Sequence, residues 1–244
     1  MKIGIYGLGR FGTFWAKQLS RLGEVYGYSR SKKDDLPSCI RQVDFDQLFE
    51  TDVIVLCVAI SAMEEAVQSM KTCLSPGTLV MDTCSVKVHP VQVMRSILPE
   101  SVQIIATHPM FGPDSGKNGV DQLPLVFSPV RCSDETAEEW RSHFRDSLGV
   151  RLIEMTPEEH DTEAAVTQGI THFIGRVLKE MHLKKSRIGT LGYSKLLEII
   201  EQTCNDPMQL FIDLQRYNPY TDDMRKRLLE AVIHQVDMVG NKLA

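Results

Sequence analysis

The 244-residue sequence lacks several features that would place it in a class at once. Its six cysteines, at positions 39, 57, 73, 84, 132 and 204, form no C-x-x-C pair. Cys57 sits inside an apolar run, where a free thiol behaves as a small hydrophobe, so a reduced, cytoplasmic protein is expected. No stretch is long and apolar enough to span a membrane. The first strand pattern begins near residue 2, which leaves no room for a signal or transit peptide. No basic excess is present: Lys and Arg number 27 against 32 Asp and Glu, a formal net charge of -5. A nucleic-acid partner is therefore not expected, and neither is a metal. No internal repeat or low-complexity tract interrupts the chain. What is present is a composition 43% hydrophobic and 24% charged, enough for one large domain or two small ones.

The pattern changes along the chain. Residues 2–6 and 24–28 read as strands flanking a helix over 10–22, whose Phe11, Phe14, Trp15, Leu19 and Leu22 fall mostly on one face. The continuous run Asp52 to Val58 reads as a buried parallel strand. A helix over about 61–74 and strands at 78–81 and 102–106 continue the alternation. Leu125 to Ser128 and Val150 to Met155 read as later strands, with a helix from about 134 to 147 between them. Strands alternating with helices predict an α/β fold with a mostly parallel sheet. After Met155 the signal is helical only. Thr156-Pro157-Glu158-Glu159 is a capping box with proline at the first helical position. One long helix to Met181 should follow it, then helices at about 193–203, 207–217 and 222–239. The last carries Met224, Leu228, Val232, Val236 and Val239 on a stripe and ends at Gly240. The expected organisation is a Rossmann-type domain over 1–155 and a small all-helical domain over 156–244. Some 90 residues of helix make a small core, so a homodimer packing these helices together would supply the missing burial.

Gly7-Leu8-Gly9-Arg10-Phe11-Gly12 is a G-x-G-x-x-G motif placed after a strand and opening a helix. In that context the glycines allow a tight turn and close approach of a dinucleotide pyrophosphate to the helix N-terminus; the other reading is a glycine-rich turn with no ligand. Enzymes using NAD usually carry an acidic residue about 20 residues on, for the ribose 2′-hydroxyl. Here the chain reads Ser29-Arg30-Ser31-Lys32-Lys33, with no carboxylate before Asp34. Hydroxyls and an arginine suit a 2′-phosphate, so NADP is the expected cofactor. A solvated basic loop is the alternative.

The chemistry should sit around Ala106-Thr107-His108-Pro109-Met110-Phe111-Gly112-Pro113-Asp114-Ser115-Gly116-Lys117-Asn118-Gly119. A proline disfavours helical backbone in the residue before it. His108 is thereby held extended at a strand's end, where an α/β enzyme keeps its chemistry. Asp82-Thr83-Cys84-Ser85-Val86-Lys87 follows another strand, and the long helix carries His160-Asp161, Gln168 and His172. Gln168 and His172 share a face of that helix.

Together with Ser29-Arg30-Ser31, these segments make the chain resemble the arogenate/prephenate dehydrogenases over nearly its whole length. The likeness is greatest to the plant-type, mostly NADP-dependent arogenate dehydrogenases. The resemblance implies oxidative decarboxylation of a cyclohexadiene to an aromatic product, with His108 as the base and Ser85 as the residue that orients it. It places Thr83 and Cys84, with Val58, near the nicotinamide, and Gln168 and His172 at the substrate; Lys117 reads either as a contact to a substrate carboxylate or as a lysine on a mobile loop. His160-Asp161 reads as a structural pair, His172 equally as a core histidine, and Ser85 equally as a helix cap. Many bacterial relatives hold the ring carboxylate with an arginine of the helical domain; Arg216 is a candidate by location. Asp206 matches a position that is acidic in arogenate-preferring members. A carboxylate there would pair with the side-chain ammonium of arogenate, where prephenate has a ketone. Asp206-Pro207 also reads as an N-cap followed by proline. Besides prephenate dehydrogenase, the competing readings are a hydroxyacid dehydrogenase, disfavoured because Lys179 lies far from the start of the long helix, and a non-catalytic NADP-sensing protein. The latter would have no need of Ser85 and His108 together.

Overall fold

The computed structural model describes residues 1–240. The chain divides into two compact units, Met1–His160 and the segment from Asp161 on. The division falls a few residues beyond the expected boundary at Met155, inside the helix that opens there.

Unit 1 is built on one eight-stranded sheet of order β3-β2-β1-β4-β5-β6-β7-β8. The strands are β1 (Lys2–Tyr6), β2 (Glu24–Tyr28), β3 (Ile40–Gln42), β4 (Val53–Leu56), β5 (Leu79–Asp82), β6 (Gln103–Pro109), β7 (Pro124–Arg131) and β8 (Arg151–Glu154). Strands β1 to β6 pair in parallel. Strand β7 runs antiparallel to β6, and β8 parallel to β7. Every residue of β4 and β5 is buried, which explains why these runs read as continuous apolar stretches rather than alternating ones. The helices of unit 1 are α1 (Arg10–Leu19), α2 (Met63–Met70), α3 (Val88–Ile97) and α4 (Asp134–Ser142). Helix α1 buries Gly12, Trp15, Ala16 and Leu19. Trp15 meets Phe111 and Phe144 in an aromatic cluster, so α1 joins the core beneath the β6–β7 connection.

The strand order reverses between β1 and β4, and ligands of open α/β sheets bind beyond the strand C-termini at such a point. Gly7, just past β1, has φ of +113°, and a Cβ there would lie 2.4 Å from the Cys57 carbonyl oxygen at the end of β4. A Cβ on Gly12 would lie 1.9 Å from the Gly7 oxygen. Both glycines are needed to bring strand, turn and helix together.

Helix α5 (Pro157–Ala164) starts with the expected capping box. Glu159 N–H donates to Thr156 Oγ1 at 3.2 Å, and Thr156 N–H donates to Glu159 Oε2 at 2.8 Å. The long helix then passes through a π-turn at Ala165–Gly169 before α6 (Ile170–Glu180). The turn frees backbone carbonyls, and Gln215 Nε2 donates to that of Gly169 at 2.8 Å. Helices α7 (Leu191–Cys204), α8 (Met208–Tyr217) and α9 (Thr221–Met238) complete the described part of unit 2. A Cβ on Gly175 would lie 2.0 Å from Thr203 Oγ1, so α6 and α7 touch almost backbone to backbone. Met224 of α9 is buried, but Leu229, Val232 and Ile233 further along it are exposed.

Candidate active site

The glycine-rich turn holds the residues expected to bind a dinucleotide. Unlike Gly7 and Gly12, Gly9 has open space where its Cβ would be, with no atom within 4 Å. Gly9 is also the N-cap of α1, and no side chain caps that end. An uncapped helix N-terminus beside a bare backbone fits a dinucleotide pyrophosphate, which needs close approach and free N–H donors. Leu8 is buried beneath the turn, Phe11 is half-buried in the aromatic cluster, and Arg10 is exposed. Arg10 pairs with Asp114 at 2.5 Å, tying the turn to the loop after β6.

Ser29, Arg30 and Ser31 leave the C-terminal end of β2. Gln42 orders this loop by donating to the Ser31 carbonyl at 3.1 Å and accepting from Lys33 N–H at 2.9 Å. Arg30 is exposed, and no ion pair with it is seen among the described residues. At the end of β4, Val58 and Cys57 are half-buried. Thr83 Oγ1 donates to the Leu56 carbonyl at 2.9 Å and approaches Cys57 Sγ at 3.7 Å. Burial pushes the Cys57 thiol up to about 12 and the Cys84 thiol well above its ordinary value. Both remain thiols at neutral pH, so neither is a ready nucleophile.

His108 lies within β6, paired with Val126 of β7 and 3% exposed. The strand runs further than the apolar run predicts, because Pro109 comes last, where a missing N–H costs little. His108 Nδ1 is 2.8 Å from His160 Nε2. Burial, followed by the neighbouring His160 and Lys87, holds the His108 imidazole well below the usual histidine range. It is therefore a neutral base at pH 7. The expected partner, Ser85, is half-buried in the β5–α3 connection. Among the described residues, the ring's hydrogen bond runs to His160 and not to Ser85. Nor does Ser85 cap the following helix, since α3 has Lys87 at its N-cap and no capping side chain.

Beneath His108 lies a polar network that the sequence reading left without a role. Lys87 and Asp82 are both fully buried and form an ion pair. Lys87 Nζ donates to the Thr107 carbonyl at 2.5 Å. Asp82 also accepts from Cys84 N–H at 2.9 Å and from Thr107 N–H at 3.2 Å. Thr107 Oγ1 in turn donates to the Asp82 carbonyl at 2.5 Å. The network binds the end of β5 to the end of β6, one residue from Ser85 on one side and one from His108 on the other. The signal was present as an Asp and a Lys five residues apart with no other charge between them; a fully buried lysine almost always has a partner.

The loop after β6 is anchored rather than free. Phe111 stacks edge-on against Phe14 and Trp15, and a Cβ on Gly116 would lie 2.5 Å from the Phe14 ring. Lys117 is exposed on this loop.

In unit 2, Gln168, His172 and Arg176 follow one another at intervals of four, along one stripe. Gln168 Oε1, His172 Nδ1 and Arg176 Nε are buried without a hydrogen-bond partner among the described residues. His172 is 7% exposed, and burial, assisted by Arg176 and opposed by Asp206, lowers its affinity for a proton. Asp206 is half-buried in the α7–α8 connection. The N-cap of α8 is Pro207, with no side-chain cap, so the capping alternative for Asp206 does not hold. Arg216 is exposed in the last turn of α8, where it complements the helix dipole.

Comparison with known proteins agrees with this architecture. Residues 16–124 match the family "Prephenate dehydrogenase, nucleotide-binding domain". Residues 177–242 match "TYRAAT1-like, C-terminal domain". The chain is 39% identical over 238 residues to Arogenate dehydrogenase 1, chloroplastic, of Arabidopsis thaliana, covering 93% of this chain and 37% of that protein. It is 36% identical over 239 residues to Arogenate dehydrogenase 2, chloroplastic, of the same plant, covering 93% of this chain and 67% of that one. The chain thus spans well under half of the first relative and about two thirds of the second. The crystal structure of Synechocystis arogenate dehydrogenase has the same fold, with a TM-score of 0.70, 22% identity and coverage of 98% of this chain and 94% of that one. The chain belongs to the arogenate/prephenate dehydrogenase family of oxidoreductases.

Proposed function

We propose that this protein carries out the NADP-dependent oxidative decarboxylation of L-arogenate to L-tyrosine, with His108 as general base. The observation that carries the reading is His108 itself. It is buried, kept neutral and fixed through Nδ1 by His160, in a chain of this family. With Nδ1 donating to His160 Nε2, His108 Nε2 is the nitrogen that takes the substrate's hydroxyl proton. The hydroxyl-bearing carbon loses a hydride, and the bond to the ring carboxylate breaks. Its electron pair enters the ring, CO2 leaves, and the phenolate oxygen recovers the proton from the His108 imidazolium. Aromatisation supplies the drive, so the protein's task is positioning and one proton transfer.

A nicotinamide cofactor supplies the hydride acceptor when bound. Gly7, Leu8, Gly9, Arg10, Phe11 and Gly12 would hold its pyrophosphate, and Val58, Thr83 and Cys84 would flank its reactive ring. Exposed Arg30 between Ser29 and Ser31, with no carboxylate before Asp34, supports NADP over NAD. We place Ser85 beside the reacting hydroxyl, and Lys117, Gln168 and His172 among the substrate-binding residues. Asp206 would take the arogenate ammonium, which favours arogenate over prephenate. The exposed Leu229, Val232 and Ile233 of α9 support a homodimer formed through the helical unit. Six free thiols support a reducing compartment such as the cytoplasm.

The test is NADPH formation with arogenate and with prephenate, for the wild type and Asp206→Asn. The wild type should prefer arogenate. Asp206→Asn should shrink that preference by about 10- to 100-fold, the worth of one charge-assisted hydrogen bond. Turnover of prephenate alone would reassign the enzyme to the prephenate branch, and turnover of neither would end the proposal.

A further inference from the structure

Among the described residues of unit 2, three side-chain polar atoms are buried without a partner, and one of them belongs to Arg176, a residue with no place yet in the proposed substrate site. Its guanidinium is anchored on one side only. Nη2 donates to the Asp206 carbonyl at 2.8 Å and to the Thr203 carbonyl at 3.3 Å. The guanidinium also lies over the Phe211 ring, 5.5 Å from its centroid. The close approach of α6 and α7 at Gly175 and Thr203 brings it to that position. Nε is buried and bonded to nothing. One turn back along the same stripe, His172 Nδ1 is likewise buried without a partner, and a further turn back Gln168 completes the row.

A buried N–H left unpaired costs roughly 1–3 kcal/mol, and native proteins seldom leave several such atoms side by side. A ligand carboxylate satisfies two of the three: it accepts from Arg176 Nε and, in the appropriate tautomer, from His172 Nδ1, whereas Gln168 Oε1 needs a donor such as a ligand ammonium or hydroxyl. On the far side of the same guanidinium the chain turns into Asp206, whose carboxylate caps no helix. A cation-bearing side chain and an anion-bearing one, joined through one short turn, match an ammonium and a carboxylate carried on one carbon.

We infer that Arg176 reads the side-chain carboxylate of the substrate and fixes the Asp206 turn, so that Arg176, His172 and Asp206 form an α-amino-acid head-group subsite. This rests on the reading that the substrate is arogenate or prephenate. Both carry the side-chain carboxylate, so Arg176 serves either, whereas Asp206 distinguishes them.

The test uses three probes that share the phenol ring and differ in the head group: L-tyrosine (ammonium and carboxylate), tyramine (ammonium only) and 4-hydroxyphenylpropionate (carboxylate only). Binding is measured by titration calorimetry on the wild-type chain, Arg176→Lys, Arg176→Ala and Asp206→Asn, with the thermal midpoint recorded for each. Arg176→Lys keeps a cation for the turn and loses the Nε donor. It should weaken L-tyrosine and 4-hydroxyphenylpropionate about tenfold, the worth of one charge-assisted bond, and leave tyramine within about twofold. Asp206→Asn should weaken L-tyrosine and tyramine and spare 4-hydroxyphenylpropionate. Arg176→Ala should lose the carboxylate contact and the turn together, weakening all three. If Arg176→Lys weakens all three probes equally, Arg176 is only a structural brace and the inference fails. It fails also if that variant weakens none, or if the wild type does not distinguish L-tyrosine from tyramine. Turnover of neither arogenate nor prephenate by a wild type that still shows the probe pattern would instead remove the proposed reaction and leave the subsite standing.

Discussion

The polar groups around His108 in unit 1 are buried and bonded within the protein, whereas the Gln168–Arg176 stripe in unit 2 is only partly buried, His172 most deeply, and keeps buried atoms without partners. In unit 1, Asp82, Lys87, Thr107, His108 and His160 bond to one another through contacts made within the protein. In unit 2, Gln168, His172 and Arg176 each keep a buried atom with no partner. A closed network fixes geometry before any ligand arrives, as proton transfer requires. An open row is completed by what binds to it. The contrast separates the group proposed to do chemistry from the groups proposed to recognise a substrate, and it can be tested from both sides.

The largest effect should come from His108→Asn, which keeps a polar side chain of similar reach and removes the base. It should lower kcat by about 10²- to 10⁴-fold while the affinity for L-tyrosine changes little, read from NADPH formation and from calorimetry. A variant with near wild-type kcat would move the chemistry away from this network. Next comes Lys87→Met, which leaves Asp82 charged and buried. Stability measured by denaturant unfolding should fall by about 3–5 kcal/mol. The double replacement Asp82→Leu with Lys87→Met should recover a large part of that loss, because the stranded charge is gone. If the single variant costs almost nothing, the network is not closed in the sense described. A smaller and more selective effect is expected from Arg30→Ala. The KM for NADP should rise about 10- to 100-fold with that for NAD nearly unchanged; equal changes for both would return Arg30 to the solvated loop.

Most of the sheet was legible in the sequence because its central strands are buried on both faces. Val53–Leu56 and Leu79–Met81 leave no polar interruption, and the glycine motif sits at the strand-to-helix turn that needs it. Strand β3 was missed, since three residues carry no periodicity. Helix α3 was seen only as something following Ser85, and Pro90 blurred it, although proline is tolerated in a first helical turn. The helix expected over 61–74 is a shorter one, Met63–Met70, preceded by a 3₁₀ turn at Ile60–Ala62. The π-turn at Ala165–Gly169 has no local signature, because its carbonyl is satisfied by Gln215, far along the chain. The candidate site was legible as a set of residues but not as a set of pairs. His108 and His160 are 52 positions apart, and no spacing rule joins them. Lys87 lay in plain view within Cys84-Ser85-Val86-Lys87, yet its partners are set by the register of β5 against β6. Arg216 stood out by location for the ring carboxylate, and Arg176 did not, because only the packing of α6 on α7 shows its partly buried guanidinium against Thr203 and Asp206.

The proposed chemistry requires His108 to be a buried base that is neutral at physiological pH, and the pH dependence of kcat/KM tests that directly. Its proton affinity is lowered on burial, so the basic form persists as pH falls through 6.5, the ordinary histidine value. By the same linkage, the unfolded chain takes up the proton first, so stability should decline below about pH 6.5. The profile of kcat/KM should stay flat from pH 8 down past 6.5 and fall only well below it, and His108→Asn should lack that acidic limb. An acidic limb at 6.5 or above, or one that survives in His108→Asn, would contradict the assignment of His108 as the base.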